Sequence, residues 1–332
     1  MRLAELVGPR DFRVVEVEAP TRAPGEVLVD VVACGVCASE LDTWEGRSGV
    51  DFPRRIGHEV TGVVVEADEG AALAPGSPVA VWTLGSGYAE QVSAPADACR
   101  ALGTFPVDLG LLEPVACAAN AVELADVRLA DDVVIIGAGF MGSLVQQLVA
   151  MRGPRQVVVV DRRPDVLDLA RRLGATRTVD TREESAAEVV AALTDGRGAD
   201  VTFEVTGVQG GLDGIGDVTR MSGKVVLVGF HQGAPRTLPL GHWNWMAYDL
   251  RNAHFREPAT IMRGMDVAGR LLAAGRLDLA SLVTHRFALE DIDEAFTTAV
   301  TKPDGFVKAV VTMSSPTVAP PASRATPPGA AR

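Results

Sequence analysis

Two cysteines spaced C-x-x-C, Cys34 and Cys37, open the stretch CGVCASELDTW. Such a pair is typical of half a zinc knuckle, of a redox dithiol, or of one working thiolate beside an inert neighbour. A histidine follows them in the tripeptide GHE, at His58. A catalytic zinc takes three protein ligands drawn from thiolate, imidazole and carboxylate, and it keeps one position open. The thiol pair and His58 therefore predict two ligands of a catalytic zinc site.

The third predicted ligand is a choice among three side chains. Glu59 follows His58 directly, and Glu113 and Cys117 lie in the segment LLEPVAC. Glu113 and Cys117 are about one helical turn apart, and Pro114 suits the first position of a helix. The side chains of Glu113 and Cys117 could therefore both face the metal. Glu59 could equally stand behind the ligands without binding the ion. The residues alone leave this choice open.

The glycine pattern Gly137-x-Gly139-x-x-Gly142 follows the apolar run VVII and precedes a predicted helix. In that context it is a dinucleotide-binding fingerprint. Gly137 permits the tight turn, Gly139 lets the backbone approach a pyrophosphate, and Gly142 allows close helix–strand packing. The helix N-terminus then offers free N–H groups to the phosphates. The predicted cofactor-binding residues of this loop are Gly137, Gly139, Phe140, Met141 and Gly142.

A second predicted strand, QVVVVD, ends in Asp161, about 20 residues beyond the glycine pattern. An acidic residue there accepts hydrogen bonds from the adenosine ribose and repels a 2′-phosphate, so it favours NAD(H) over NADP(H). Arg162 and Arg163 follow at once and could accommodate a 2′-phosphate, which weakens this preference. Asp161 and Arg162 complete the predicted cofactor site.

The elements around these motifs fall into three stretches. Short β-branched runs broken by Gly and Pro predict a compact antiparallel β domain in the first third of the chain. From Asp132 to about Asn252, apolar strands alternate with helical segments, which predicts βαβ units around a buried parallel sheet. Two helices and the strand FVKAVVTM close the fold. The Pro/Ala/Ser-rich tail is expected to be disordered.

Charge and composition exclude several kinds of partner. The net charge of -12 repels phosphate backbones, so we expect no nucleic-acid partner. No apolar run approaches the roughly 20 residues that span a bilayer, and the N-terminus lacks the apolar region of a secretory signal. Four cysteines in 332 residues are too few for a disulfide framework, and they favour reduced thiols or metal ligands in a cytoplasm.

The motifs CGVCASELD, GHE, GYAEQV and EPVAC, together with the glycine fingerprint, resemble those of the zinc-dependent medium-chain alcohol and polyol dehydrogenase superfamily. The resemblance runs in the family's order over nearly the whole chain. It implies an α/β fold with a GroES-like catalytic domain and a Rossmann domain with a doubly wound parallel sheet. The expected bounds are 1–117 and 255–313 for the catalytic domain, 118–254 for the NAD-binding domain, and 314–332 for the disordered tail.

The resemblance also implies roles for the candidate ligands. It makes Cys37 rather than Cys34 the zinc ligand and leaves Cys34 as buried packing. Zinc alcohol dehydrogenases carry a cysteine where this chain has Cys117. The sorbitol dehydrogenase branch keeps a glutamate at the position of Glu113 and often uses the glutamate of GHE as well. The expected ligands are Cys37, His58, one of Glu59 or Cys117, and Glu113 as an exchangeable or water-held ligand.

Further positions follow from the same resemblance. Glu40 matches the acidic residue that orients the zinc-binding histidine in relatives. Ser39 matches a hydroxyl that passes the substrate proton, but Asp42 stands where relatives often have the relay histidine. Many relatives hold a second, structural zinc on a cysteine-rich lobe, which would fall between Trp82 and Gly87. Only a short loop lies there, so a single catalytic zinc is expected.

The resulting expectation is a zinc-dependent, cytoplasmic oxidoreductase that transfers a hydride between NAD(H) and a secondary alcohol or ketone. The stretch GHWNWMAYDLRNAHFR mixes aromatic and polar residues where relatives approach the nicotinamide, which favours a polyol, cyclitol or sugar-like small molecule; packing at an interface explains it equally well. The rival functions are a zinc-free reductase of a C=C, quinone or imine bond and a non-catalytic nucleotide-binding protein.

Trp44, Phe52 and Trp82 are expected near the pocket. The strand GKVVLVGF resembles the sheet edge that joins subunits in relatives, so a homodimer or homotetramer is expected.

Overall fold

The β-branched first third of the chain forms a two-stranded sheet and most of a larger, seven-stranded one. The computed structural model describes residues 1–313, so the expected tail at 314–332 lies outside it. Gly and Pro separate the strands of this part, and one short helix, α1 (Leu41–Trp44), follows the third strand. The strands are β1 (Arg2–Gly8), β2 (Asp11–Glu16), β3 (Glu26–Gly35), β4 (Glu59–Glu66), β5 (Pro78–Trp82), β6 (Gln91–Pro95) and β7 (Cys99–Ala101).

The middle of the chain alternates strands with helices around a six-stranded parallel sheet. The helices are α2 (Leu112–Ala125), α3 (Phe140–Ala150), α4 (Pro164–Arg172), α5 (Ala186–Leu193), α6 (Gln209–Asp213), α7 (Ile215–Val218) and α8 (Leu240–Trp245). The strands are β8 (Asp132–Ile136), β9 (Gln156–Asp161), β10 (Arg177–Asp180), β11 (Ala199–Glu204), β12 (Thr219–Leu227) and β13 (Asp249–Asn252). Their spatial order, β10-β9-β8-β11-β12-β13, is the doubly wound order of a dinucleotide-binding fold.

The chain then returns to the first sheet. The remaining elements are α9 (Pro258–Ala273), β14 (Val283–Ala288), α10 (Ile292–Thr301) and β15 (Lys308–Thr312). Strand β15 pairs antiparallel with β3, and Val311 lies opposite Cys34. This pairing brings Lys308 next to the loop that follows β3, where Cys37 lies. None of the helices in residues 1–313 is long and apolar enough to cross a bilayer.

Two local predictions are wrong. Helix α2 begins at Leu112, so Pro114 is its third residue rather than its first. A proline is tolerated there because the N–H groups of the first turn have no partner within the helix. The segment GKVVLVGF falls mostly within β12, which pairs with both β11 and β13. The sheet edge is therefore β13, a short strand whose side chains are mostly exposed.

Candidate metal and cofactor site

The pairing of β3 with β4 brings the cysteine loop and the GHE tripeptide together. Gly35, the last residue of β3, lies opposite Glu59, the first residue of β4. Cys37 follows β3 by two residues and His58 precedes β4 by one, so both extend from the same end of the strand pair. One ligand atom from each of Cys37, His58 and Glu59 lies within 4.8 Å of the other two. A thiolate, an imidazole and a carboxylate thus face a common point, which is the donor set of a catalytic zinc.

The buried carboxylate of Glu59 supports the fit of a cation at this point. Glu59 is almost fully buried, and Lys308 Nζ donates to its Oε1 at 2.8 Å. Oε2 lies 2.6 Å from the same nitrogen and has no other partner within residues 1–313. Buried polar atoms are nearly always satisfied, and a buried carboxylate oxygen beside a thiol and an imidazole suits a metal ion. The residues present therefore fit a zinc ion.

Glu40 fixes the orientation of His58. Its Oε1 lies 2.8 Å from His58 Nδ1 and accepts the N–H of Gly57 at 2.7 Å, while Oε2 accepts the hydroxyl of Tyr88 at 3.0 Å. This carboxylate leaves Nε2 of the imidazole to serve as the ligand. Desolvation lowers the pKa of His58, but Cys37 and Glu40 outweigh it and raise that pKa to about 12. A metal ion would displace the proton, because its ligands must be deprotonated.

Glu113 and Cys117 lie outside the group of three but close to it. Glu113 is on the first turn of α2 and Cys117 is on the second, and the Cys117 thiol donates to Glu113 Oε1 over 3.5 Å. Burial and then the charge of Glu59 raise the pKa of Glu113, whereas burial and then Glu113 raise the pKa of Cys117 well above its usual value. Neither side chain belongs to the group whose ligand atoms lie within 4.8 Å of one another, whereas Glu59 does. Glu59 is the best placed of the three candidate third ligands.

Lys308 is the contributor to this site that the sequence reasoning missed. Its ammonium is 5% exposed, donates to Val36 O at 2.9 Å and pairs with Glu59. It also lies 4.6 Å from the ring centroid of Phe140, in the glycine-rich loop. Burial lowers the pKa of Lys308, but Glu59 outweighs it and the pKa of the ammonium is raised. One side chain thereby connects the predicted metal ligands with the predicted cofactor loop.

Ser39 and Asp42, the predicted proton-relay residues, differ in their surroundings. The Ser39 hydroxyl lies 3.2 Å from Cys37 Sγ and so stands beside the candidate metal site. Asp42 is 7% exposed, and its Oδ1 accepts from Arg47 Nε at 3.1 Å and from the same guanidinium's terminal nitrogen. An arginine partner stabilises the ionised carboxylate. Asp42 is therefore a carboxylate paired with an arginine where relatives often have an imidazole.

The expected pocket residue Trp44 is instead part of the catalytic-domain core. It is 2% exposed, its ring centroid lies 5.6 Å from that of Phe296, and its Nε1 donates to Asp293 at 2.8 Å. The expectation for Trp44 was wrong because a tryptophan near a motif loop packs inward as readily as toward a ligand. In the stretch after β12, Trp243 is likewise buried in the Rossmann core, whereas Trp245 is exposed.

The glycine fingerprint joins β8 to α3 in the conformation that the sequence predicts. Gly137 has φ +109, a region that only glycine adopts readily. Asp161, at the end of β9, accepts the N–H of Ala138 within this loop at 2.7 Å. It also accepts the N–H groups of Arg162 at 2.7 Å and Arg163 at 2.9 Å. The carboxylate thus fixes the loop at the end of β9.

Alanine is expected to have different effects on stability and on NADH binding at two of these glycines. A Cβ on Gly142 would lie 1.9 Å from the Gly137 carbonyl oxygen, whereas a Cβ on Gly139 would meet nothing within 4 Å. Gly142→Ala is expected to lower the free energy of unfolding by about 3 kcal/mol or more, because backbone must move. Gly139→Ala is expected to change it by less than about 0.5 kcal/mol yet to weaken NADH binding, since the methyl occupies space meant for a pyrophosphate. Urea unfolding and NADH fluorescence titration measure the two effects. Equal changes in stability and in NADH affinity for both variants would contradict the assignment of Gly142 to packing and of Gly139 to the pyrophosphate.

The comparisons with known proteins agree with this geometry. Residues 23–127 match the family model of the alcohol dehydrogenase GroES-like domain, and residues 141–265 match that of zinc-binding dehydrogenases. The 2-dehydro-3-deoxy-L-galactonate 5-dehydrogenase of Pseudoalteromonas atlantica is 30% identical, over 94% of this chain and 98% of its own. The sorbitol dehydrogenase of Ovis aries is 31% identical, over 88% of this chain and 91% of its own.

A solved structure supports the same relationship. A protein from Sinorhizobium meliloti 1021, assigned as a zinc-binding dehydrogenase and bound to NADP, aligns with a TM-score of 0.82. It is 25% identical and is covered over 98% of its length by 94% of this chain. Fold, motif order and full-length similarity agree, and the chain belongs to the zinc-dependent medium-chain dehydrogenase superfamily.

Proposed function

We propose that the protein oxidises a secondary alcohol of a polyol, cyclitol or sugar-like substrate, or reduces the matching ketone, using one zinc ion and NAD(H). The observation that carries the proposal is the grouping of Cys37, His58 and Glu59, each of which has one ligand atom within 4.8 Å of the other two. Two full-length relatives are named as a sugar-acid dehydrogenase and a sorbitol dehydrogenase. Their names support a hydroxylated substrate rather than a simple alkyl alcohol.

The mechanism follows from what each residue holds. Cys37, His58 and Glu59 would bind the ion, and Glu40 keeps the imidazole in the required orientation. When bound, zinc supplies Lewis-acid polarisation of the substrate oxygen and the nicotinamide supplies the hydride acceptor. Ser39 stands next to Cys37 and is proposed to take the alcohol proton. Asp42 stands where relatives often have the relay histidine, and its carboxylate is paired with Arg47.

The choice of NAD(H) over NADP(H) rests on Asp161. Its carboxylate ends β9 at the adenosine side of the fingerprint, where a 2′-phosphate would meet its charge. Arg163 is already engaged, since its guanidinium bonds the Phe306 carbonyl at 2.8 Å and pairs with Asp165. Arg162 is exposed and is the side chain that would offset this preference.

The decisive experiment is a cofactor-linked absorbance screen. Polyols, aminocyclitols, sugars, sugar acids and secondary alcohols are offered with NAD⁺ or NADP⁺, with and without added zinc. The proposal expects zinc-dependent NADH formation with hydroxylated substrates and a lower rate with NADP⁺. Turnover of a C=C, quinone or imine substrate by zinc-free protein would establish the rival reductase instead. Tight NADH binding without turnover of any compound would support the non-catalytic rival.

The exposed edge of the parallel sheet supports self-association. Strand β13 presents unpaired backbone groups, and exposed Met221, Trp245 and Leu250 lie on or beside β12 and β13. Unpaired strand edges flanked by apolar side chains are pairing surfaces. We propose that two copies join here as a homodimer, which could pair further into a tetramer. Light scattering is expected to give at least twice the chain mass, and Leu250→Lys is expected to lower it; a single-chain mass for the wild type would refute the proposal.

All four cysteines are free thiols in the structure. Cys34 and Cys99 are buried, and Cys37 and Cys117 lie at the candidate metal site. Reduced thiols of this kind persist in a reducing compartment, which supports a cytoplasmic location.

A further inference from the structure

Tyr88, in the motif GYAEQV, is a buried tyrosine whose hydroxyl reaches the carboxylate behind the candidate metal site. The residue is 1% exposed, and its hydroxyl oxygen lies 3.0 Å from Glu40 Oε2 and 3.1 Å from the Gly35 carbonyl oxygen. Burial, followed by the charge of Glu40, raises the pKa of Tyr88 well above its usual value, so the hydroxyl keeps its proton at neutral pH. Tyr88 is therefore a hydrogen-bond donor that faces a carboxylate and a backbone carbonyl.

The carboxylate of Glu40 is held at three points. Its Oε1 accepts the Gly57 N–H and lies against His58 Nδ1, whereas within residues 1–313 the hydrogen-bond partner of its Oε2 is Tyr88. The last torsion of a glutamate side chain is broad and roughly two-fold, so contacts at Oε1 alone would leave the carboxylate plane free to turn. Glu40 is 7% exposed, and loss of the Tyr88 hydroxyl would leave a buried oxygen unsatisfied. The hydroxyl therefore fixes the plane in which the carboxylate meets the imidazole.

The ring of Tyr88 is anchored in the core of the catalytic domain. Its centroid lies 6.2 Å from that of Phe12 on β2 and 5.7 Å from that of Phe296 on α10, and both contacts are edge-to-face. The Tyr88 carbonyl accepts the N–H of Ala4 on β1 at 2.8 Å. Edge-to-face pairs have a defined geometry, so the packing of the core sets the position of the donor. A tyrosine held at both its backbone and its ring is a preorganised donor.

The backbone around Tyr88 also packs closely on the loop that carries His58. The Gly87 N–H donates to the Gly57 carbonyl at 3.1 Å, and a Cβ on Gly57 would lie 2.9 Å from the Tyr88 backbone nitrogen. These contacts do not involve the phenol oxygen. Removal of that oxygen alone, by Tyr88→Phe, therefore leaves the loop packing in place and isolates what the hydroxyl does for Glu40 and His58.

We propose that Tyr88 is a positioning residue of the metal site, because its hydroxyl holds the Glu40 carboxylate in the plane that orients the His58 imidazole toward the ion. The inference rests on the proposed function, since it concerns the zinc that this function requires. Removal of a group that orients a metal ligand typically weakens metal binding by about 10- to 100-fold. The Tyr88 hydroxyl acts through Glu40, so its effect is expected at the lower end of that range.

The first test measures the zinc dissociation constant of the purified protein by competition with a chromophoric chelator. Tyr88→Phe is expected to raise this constant about 10-fold. Tyr248→Phe is the matched control, because its hydroxyl also bonds backbone carbonyls, those of Gly216 and Thr219 at 3.3 and 3.2 Å, but where β12 begins in the Rossmann sheet. An unchanged constant for Tyr88→Phe, or an equal rise for both variants, would overturn the proposal.

A double variant tests whether Tyr88 acts through Glu40. Glu40→Ala is expected to weaken zinc binding more than Tyr88→Phe does, because it removes the carboxylate that holds the imidazole. In the Glu40→Ala background, the further substitution Tyr88→Phe is expected to change the constant by less than about twofold, since the two groups belong to one chain of contacts. A further rise as large as that in the wild-type background would contradict the proposal.

Two spectroscopic readouts report geometry rather than overall stability. The visible spectrum of protein loaded with Co²⁺ in place of zinc depends on the ligand geometry, and we expect it to shift in Tyr88→Phe and to stay unchanged in Tyr248→Phe. In metal-free protein, the His58 Nδ1 proton is expected to exchange with water about 10-fold faster in Tyr88→Phe, because its acceptor is less restrained. Spectra and exchange rates equal to those of the wild type would refute the positioning role.

The outcomes separate this inference from the proposed function. Zinc binding and alcohol oxidation that Tyr88→Phe leaves unchanged would keep the function and remove the inference. If the wild type bound no zinc and oxidised no alcohol, the proposed function would fail, and the proton exchange of His58 in the metal-free protein would decide whether Tyr88 positions it.

Discussion

Replacing Cys37 by alanine is expected to lower kcat/KM by on the order of a thousandfold and to remove stoichiometric zinc from the purified protein. The thiolate is one of three donor atoms that lie within 4.8 Å of one another, so its loss leaves a two-ligand site that cannot hold the ion. Lewis-acid polarisation is worth several kcal/mol of transition-state stabilisation, which sets this magnitude. NADH affinity is expected to change little, because the glycine-rich loop keeps its own hydrogen bonds. Metal analysis, steady-state kinetics and NADH titration measure the three quantities.

The neighbouring thiol provides a matched control. Cys34 is fully buried in the catalytic-domain core on β3, opposite Val60 and Val311, and it lies outside the donor group. Cys34→Ala is expected to keep zinc and activity while lowering the free energy of unfolding by about 1 kcal/mol, the effect of a small cavity. The C-x-x-C pair would then be one working thiolate beside an inert one. Equal loss of zinc in both variants would show instead that the pair acts together.

The sequence predicts the donor group because its signals are local. The tripeptide GHE and the cysteine stretch each identify a ligand, and alternation of strands predicts the antiparallel pairing that brings them together. Lys308 carries no such signal. It lies 249 residues from Glu59 along the chain, and the contact depends on the register of β15 against β3. The sequence also carries no signal for the close contact between Gly35 and Glu59. A Cβ on Gly35 would lie 2.0 Å from the Glu59 carboxylate.

The errors in the fold have physical causes of the same kind. The apolar run in β12 resembles an interface strand, but a strand with neighbours on both sides is apolar for that reason alone. The true edge, β13, is short and polar and gives little periodic signal. Trp44 near the ligand loop was expected to face the pocket, whereas Asp293 and Phe296 from the distant helix α10 draw it into the core. Tertiary partners that are remote in sequence decided each case.

Replacing Lys308 by methionine is expected to lower the free energy of unfolding by about 3–5 kcal/mol, the usual cost of removing one partner of a buried ion pair. Glu59 is 1% exposed, so its carboxylate would lose the ammonium that pairs with it and could not gain water in its place. Glu59→Gln alone is expected to be costly as well, because it leaves the ammonium buried. The double variant removes both charges and is expected to lose much less than the two single losses combined. Urea unfolding of the wild type and the three variants, freed of metal by a chelator, gives the coupling energy. Additive losses would show that Lys308 and Glu59 do not stabilise each other.

Repeating the same unfolding series with saturating zinc tests whether Glu59 binds the ion or only faces Lys308. If Glu59 is the third ligand, the metal replaces the ammonium as the counter-charge, so zinc should stabilise Lys308→Met more than it stabilises the wild type. If Cys117 is the ligand instead, zinc should stabilise both proteins by the same amount, and Cys117→Ala should abolish that gain. The geometry favours the first outcome, because Glu59 belongs to the group whose ligand atoms lie within 4.8 Å of one another, whereas the Cys117 thiol lies outside it and donates to Glu113. A larger gain in Lys308→Met would therefore assign the third ligand and show that Lys308 restrains it in the protein without metal.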